Sequence, residues 1–149
     1  MKPFTIVRID YSEARNFVAK VHRHCPIAPP MVQIRCSFGL YWKGDLRAVA
    51  MLGNPVSPHL SRTHLEVRRL ASDGIYGACS SLYLLCNETA IARNRKLVTY
   101  TLQSETGASL IASGAVETGR THGGTDYRSG RTNRLAGIPK LRWEWTNDL

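Results

Sequence analysis

At 149 residues, 43% of them hydrophobic and 21% charged, the chain has the size and balance of one ordinary domain, long enough to bury a core without metals or disulfides. No apolar run approaches the roughly 20 residues of a membrane span, and MKPFTIVRIDYSEARNF lacks the apolar core and cleavage site of a signal peptide, so a membrane-spanning reading is excluded and a cytoplasmic location is expected. The 20 Lys and Arg against 11 Asp and Glu leave a net charge of +9, which suits a polyanionic partner.

Cys25, Cys36, Cys79 and Cys86 form no C-x-x-C pair, which argues against a zinc ribbon or a dithiol redox motif and for free thiols. FTIVRI, Phe4 to Ile9, predicts a first strand, and Asp10 with Glu13 three residues on predicts a capping box opening a helix to about Val21. Pro26, Pro29 and Pro30 in HRHCPIAPP break that helix. VQIRCSFGLYW and LRAVAML flank Lys43, Gly44 and Asp45, the pattern of a hairpin with a short glycine loop. A polar loop, GNPVSPHLSRTH, precedes a strand over Leu65 to Ala71.

From Ser80, the positions Leu82, Leu85, Cys86, Thr89 and Ala90 recur with helical spacing and place one apolar face on a helix. KLVTYTL reads as a buried strand. SETGASLIASG reads as a short helix with Ser104 as its N-cap and Gly114 as its stop. Gly119 to Lys140, rich in glycine and arginine, predicts a long surface loop. LRWEWT closes the chain as a strand, packed by Trp143 and Trp145. No internal repeat or second domain is visible.

The stretch RRLASDGIYGACSSLY joins a strand to a helix through a turn bearing Gly74 and Gly77. A helix N-terminus presents unpaired backbone N–H groups to an anion, and the glycines permit left-handed angles or close approach of a ligand. Ser80 and Ser81 are candidates to cap the helix and donate hydroxyls. The spacing is neither a Walker A loop nor a G-x-G-x-x-G fingerprint. A diphosphate site and a plain strand-to-helix turn both satisfy it.

The order of elements resembles the GNAT acyltransferases over about Phe4 to Gly119 and the last strand. That resemblance implies an α/β fold of the α+β kind: a central twisted, mixed and mostly antiparallel sheet flanked by helices, with a strand-turn-helix site for acetyl-CoA or another acyl-CoA. It implies cofactor contacts at Arg69, Leu70, Ala71, Gly74, Tyr76, Gly77, Ala78, Cys79, Ser80 and Ser81, although the turn departs from the family's Q/R-x-x-G-x-G/A pattern. HRHCPIAPP, LEVRRLASDG with CSSLY, VTYTLQSETGASL and KLRW together resemble small phage and prophage proteins related to Mom, which modify adenine in DNA. This narrower resemblance implies DNA-base modification in a bacterial host cell, shielding DNA from restriction. DNA and an acyl-CoA are then the expected partners, with a homodimer left open.

Acyl transfer needs a base for the nucleophile, donors for the developing oxyanion and an acid for the departing thiolate. Candidates are His22 and His24 after the first helix, Glu66 on the central strand, and Tyr100 and Glu105 where the next strand meets its helix. Either histidine also reads as a simple match to a helix dipole. His22, His24 and Cys25 supply three metal ligands and no evident fourth, so no metal is expected. The helix after KLVTYTL carries no tyrosine to serve as the acid, so Tyr100, Tyr76 or Tyr83 must substitute, or water. Arg120, Arg128, Arg131 and Arg134 beside Tyr127 suit phosphate contacts and base stacking, and read equally as a solvated charged loop. An N-acetyltransferase for a protein or small amine is the alternative function, and a DNA-binding module without catalysis a third.

Overall fold

The computed structural model describes residues 4–21, 26–121 and 138–146. They form seven strands and three helices, in the order β1 (Thr5–Ile9), α1 (Tyr11–Val21), β2 (Ile34–Trp42), β3 (Asp45–Gly53), β4 (His64–Ser72), α2 (Ala78–Ala92), β5 (Lys96–Leu102), α3 (Ala108–Ala112), β6 (Ala115–Arg120) and β7 (Lys140–Trp145). All seven strands join one sheet in the order β1-β2-β3-β4-β5-β7-β6. Every neighbouring pair is antiparallel except β4 and β5. The expected mixed, mostly antiparallel sheet with flanking helices is what forms.

Local chemistry explains most boundaries. The Asp10 carboxylate accepts the Glu13 amide at 2.9 Å and caps α1, while the Glu13 carboxylate is engaged by the Tyr41 hydroxyl at 2.7 Å. Lys43 and Gly44, at φ 51° and 83°, form the two-residue hairpin loop between β2 and β3, where two successive positive φ angles match strand twist. The expected cap at Ser104 is replaced. The Glu105 amide bonds the Leu102 carbonyl at 3.0 Å and its carboxylate accepts the Leu102 amide at 3.0 Å. These bonds close a turn at residues 102–105, so α3 starts only after Gly107, whose φ is +69°. Gly114 ends α3 at φ +93°, as expected.

The sheet buries both faces near its middle. On β3, Ala48, Ala50 and Leu52 join the core under α2 and α3, whereas the intervening Val49 and Met51 pack beneath Ala14 and Val18 of α1. Such double burial explains why LRAVAML is almost wholly apolar. The first core also takes Leu82, Tyr83, Cys86 and Ala90 of α2 and both terminal tryptophans. Trp143 and Trp145 are buried, their indole N–H groups donating to Thr101 Oγ1 at 2.9 Å and Ser113 Oγ at 3.0 Å. Cys36, Cys79 and Cys86 are free thiols.

Two features set up the site. Opposite β3, β4 has a bulge at Arg68, since Leu52 faces Val67 and Met51 faces Arg69. The extra residue shifts the alternation, so Leu65 and Val67 face the α2 core before it and Ala71 faces the α1 core after it. The parallel pairing of β4 with β5 covers only His64 with Lys96, Leu65 with Leu97 and Glu66 with Val98. Beyond Glu66 the two strands part. The expected loop from Gly119 is corrected at its start, because Gly119 and Arg120 belong to β6 and pair with Arg142 and Leu141.

Candidate active site

Where β4 and β5 diverge, a cavity of about 900 Å³ opens toward the N-terminus of α2. One wall is the turn from Ser72 to Ser80, and the other runs from Thr101 through Glu105, Gly107 and Ser109 to Leu110. Gly74 and Gly77 adopt φ +98° and +83°, angles costly for residues with a Cβ. Asp73 is tied back to β3 by its amide on the Arg47 carbonyl and by its carboxylate on the Arg47 guanidinium. That pairing offsets the turn's only negative charge.

In the first turn of α2, Ala78 N–H reaches the Ile75 carbonyl at 3.3 Å and Ser81 N–H the Gly77 carbonyl at 3.2 Å. The amides of Tyr76, Gly77, Cys79 and Ser80 have no hydrogen-bond partner among the described residues, which leaves them for an anion. The serine capping role is corrected. Gly77 is the N-cap residue, and Ser80 and Ser81 both donate their hydroxyls to its carbonyl, at 3.2 and 2.8 Å. Leu70, Ala71, Tyr76 and Cys79 also line the cavity. Burial pushes the Cys79 thiol up, against hydrogen bonds with Ser72 and Ser109. Ala78 is fully buried under the turn, and Arg69 donates to the Ile27 carbonyl at 3.1 Å.

Glu66 is the last paired residue before the strands part, and it is 7% exposed. Its carboxylate accepts the Val56 amide at 3.1 Å and lies 3.8 Å from Arg68 Nε. Burial raises its carboxyl above the usual range, opposed by the Val56 hydrogen bond and by Arg68, Lys140 and Arg69. Arg68 is held by the Asn54 carbonyl at 3.0 Å and Gln33 Oε1 at 2.9 Å. Tyr100, half-buried on β5, has its phenol raised by burial and by the Glu66 charge, with Arg142 opposing. Glu66 and Tyr100 are thus brought together. Glu105 is held in its turn at the cavity wall, among lining residues that do not include Glu66 or Tyr100.

Tyr83, an alternative acid, is buried, meets Trp145 with ring centroids 5.6 Å apart and planes tilted by 41°, and has its phenol pushed well up by burial. Tyr76 is 85% exposed at the cavity mouth. Val21, at the end of α1, also lines the cavity. His22, His24 and Cys25, which follow it, lie outside the described residues, as do Tyr127, Arg128, Arg131 and Arg134. Arg120 is exposed on β6, 3.7 Å from Glu117. Its register partner is Leu141, which packs on the α2 core, so Arg120 belongs to the opposite face of the sheet from Glu66. Among the described residues no group of three or more His, Cys, Asp and Glu is placed to hold a metal, and no described helix is long and apolar enough to cross a membrane.

A polar cluster beside Glu66 was not anticipated. His64 Nε2 lies 3.1 Å from Glu144 Oε2, and Thr63 Oγ1 lies 2.7 Å from His64 Nδ1. Arg142 Nε is 3.1 Å from both Glu144 Oε1 and Thr118 Oγ1. Alternation along LRWEW hinted at it, because Arg142 and Glu144 must face away from the tryptophans. Which strands they would face depends on the order β4-β5-β7-β6, which is not local information.

No family model matches the chain, and no curated protein does. Solved structures do. An IAA acetyltransferase from Bacillus cereus matches at TM-score 0.66 and 18% identity, over 95% of this chain and 98% of that one. A Bacillus subtilis acetyltransferase solved in complex with CoA matches at 0.68 and 12%, over 97% of each chain. A GNAT family acetyltransferase from Elizabethkingia anophelis with acetyl-CoA bound matches at 0.61 and 12%, over 99% of this chain and all of that one. The chain has the GNAT fold.

Proposed function

We propose that the chain is an acyl-CoA-dependent N-acyltransferase. The observation that carries this reading is the parting of parallel β4 and β5 after Glu66, which opens onto the unpaired amides at the start of α2. Two of the similar structures are described as holding CoA or acetyl-CoA. The residues here suit such a group. An anion meets N–H donors from Tyr76, Gly77, Cys79 and Ser80, and the space beside Gly74 is clear, since a Cβ there would meet nothing within 4 Å. Leu70 and Ala71 would hold the extended arm along the free side of β4.

When bound, the thioester supplies an activated acyl carbon. Glu66 accepts a proton at its carboxylate from the acceptor's nitrogen, directly or through one water, and its raised carboxyl range brings it nearer the optimum for a base at neutral pH. Tyr100, half-buried on β5 and near the Glu66 charge, keeps its hydroxyl protonated to high pH and donates to the leaving sulfur. General acid–base catalysis of this type contributes on the order of 10²–10⁴ in rate. The test is calorimetric titration with CoA and acetyl-CoA. Micromolar binding that weakens at least tenfold in Gly77→Ala supports the reading, and absence of binding overturns it.

A finer reading, modification of a DNA base, is favoured by the net charge of +9 and the arginine-rich stretch from Gly119 to Lys140. Mass spectrometry of nucleosides from cells producing the chain checks it. A new adenosine adduct supports it, and unmodified nucleosides beside CoA-dependent turnover of an amine leave the broader reading alone.

A further inference from the structure

The face of the sheet that carries Glu66 is covered by α1 over β2, β3 and the end of β4, where Ala14 and Val18 meet Val49, Met51 and Ala71. No described helix lies over β5, β7 and β6 on that side. Register determines what is left there. Tyr100 sits directly opposite Arg142 and Leu102 opposite Lys140, while the intervening Leu141 and Trp143 turn to the α2 core. Arg142 and Lys140 therefore occupy the same face as Tyr100, on consecutive outward positions of β7. Lys140 is also near enough to act on the Glu66 carboxylate.

Charge does not balance on this face. Among the described residues, Arg68, Lys140 and Arg142 lie around Glu66 and Tyr100, with Glu66 and Glu144 as the carboxylates. Three cations less two anions leave an excess of one positive charge among the described residues. Arg68 is committed to Asn54, Gln33 and Glu66, and Glu144 to His64, Thr118 and Arg142. Among the described residues the Arg142 side chain bonds Thr118 and Glu144 through Nε, and Lys140 makes no side-chain hydrogen bond or ion pair. Glu144 and Thr118 thus anchor one edge of the Arg142 guanidinium, while its terminal nitrogens and the Lys140 ammonium remain for a further anion. A cationic acceptor would meet repulsion here.

Resting on the transferase reading above, we propose that the acceptor is a small amine bearing a carboxylate or phosphate beside its nitrogen, and that Lys140 and Arg142 bind that anion while Glu66 receives the proton. Arg142 supplies fork-shaped donors suited to either anion, and Lys140 a mobile point charge. Glu144 is a positioning residue, acting through the Arg142 Nε.

The test compares acceptors with and without the anion, with acetyl-CoA as donor: phenylalanine against its methyl ester, and 2-aminoethylphosphonate against ethanolamine. Spermidine serves as the cationic amine and a single-stranded oligonucleotide as the macromolecular anion. At least one acid is expected to exceed its neutral counterpart in kcat/KM by about tenfold or more, as one charge-assisted hydrogen bond contributes. The pair that responds identifies carboxylate or phosphate. Lys140→Gln and Arg142→Gln should each shrink that preference by raising KM for the acid, with acetyl-CoA binding unchanged as evidence of folding. In the parent, inorganic phosphate should inhibit competitively against the acid.

Equal turnover of acid and neutral partners, a preference that survives in both variants, or turnover confined to spermidine or to the oligonucleotide overturns the proposal. Failure of acetyl-CoA to bind at all instead removes the transferase reading, so the two failures are distinguishable.

Discussion

Gly107→Ala probes the wall of the cavity and the core behind it together. Gly107 sits at φ +69° as the N-cap residue of α3, and a Cβ there would lie 2.7 and 2.8 Å from two ring carbons of Trp143. That ring is 6% exposed and pinned by its N–H on Thr101, so it has little room to yield. The left-handed angle costs about 1–2 kcal/mol for alanine, and overpacking a rigid ring adds about 1–3 kcal/mol. The sum is about 2–5 kcal/mol. Gly114→Ala is the matched control: its φ is +93°, but a Cβ would meet nothing within 4 Å, so the backbone term stands alone at about 1–2 kcal/mol.

At about 2–4 °C per kcal/mol for a chain of this size, Gly107→Ala should melt about 4–20 °C below the parent and below Gly114→Ala. Urea denaturation followed by tryptophan fluorescence gives the free energies. CoA titration should also show weaker binding for Gly107→Ala, because Gly107 and Ala108 line the cavity. If the two variants are equally destabilised, Trp143 does not seat against Gly107 and the account of this wall fails.

Glu66→Gln should lower kcat by about 10²–10⁴ while leaving CoA affinity intact, measured by single-turnover kinetics and calorimetry. The parent's stability relative to this variant should depend on pH with a definite sign. A carboxyl raised by folding contributes stability that is present below the ordinary carboxylate range and lost as pH rises through the raised value. Scans should therefore show the two proteins alike near pH 4, with the variant gaining on the parent above that value, and the opposite trend would contradict the burial argument. The parent's kcat should fall on acidification through that same raised range. Thr99→Val removes the hydroxyl that donates to the Val67 carbonyl at 3.1 Å where the strands part; leaving that carbonyl unmet should cost about 1–3 kcal/mol in urea titration, and no loss would show that another donor serves it.

Much of the framework was legible because its determinants are local. KLVTYTL coincides with β5, and the Lys43-Gly44 loop demanded a hairpin. Asp10 announced the start of α1. The misreadings share one cause. Ser104 loses its capping role to a turn closed by Glu105, β6 goes unread because AVETGR lacks apolar periodicity on an edge and its last two residues open the glycine-rich stretch, and the bulge at Arg68 leaves no trace in an alternating string. The grouping of His64, Glu144, Arg142 and Lys140 depends on β7 inserting between β5 and β6, a long-range choice that no window of neighbouring residues encodes. Glu66 and Tyr100 were separately visible as titratable groups, and only the three-residue parallel pairing puts them together.

The gap between β4 and β5 amounts to a sheet edge in the interior of a sheet. Outer edges invite a second protein molecule to pair and so carry an aggregation hazard. This inner one lies between two strands of the same sheet and leads to the start of α2, where an extended chain of amides would have partners. An occupant of that kind would complete the ladder, and hydrogen–deuterium exchange at Leu70 and Ser72 should slow on its arrival more than anywhere along β1.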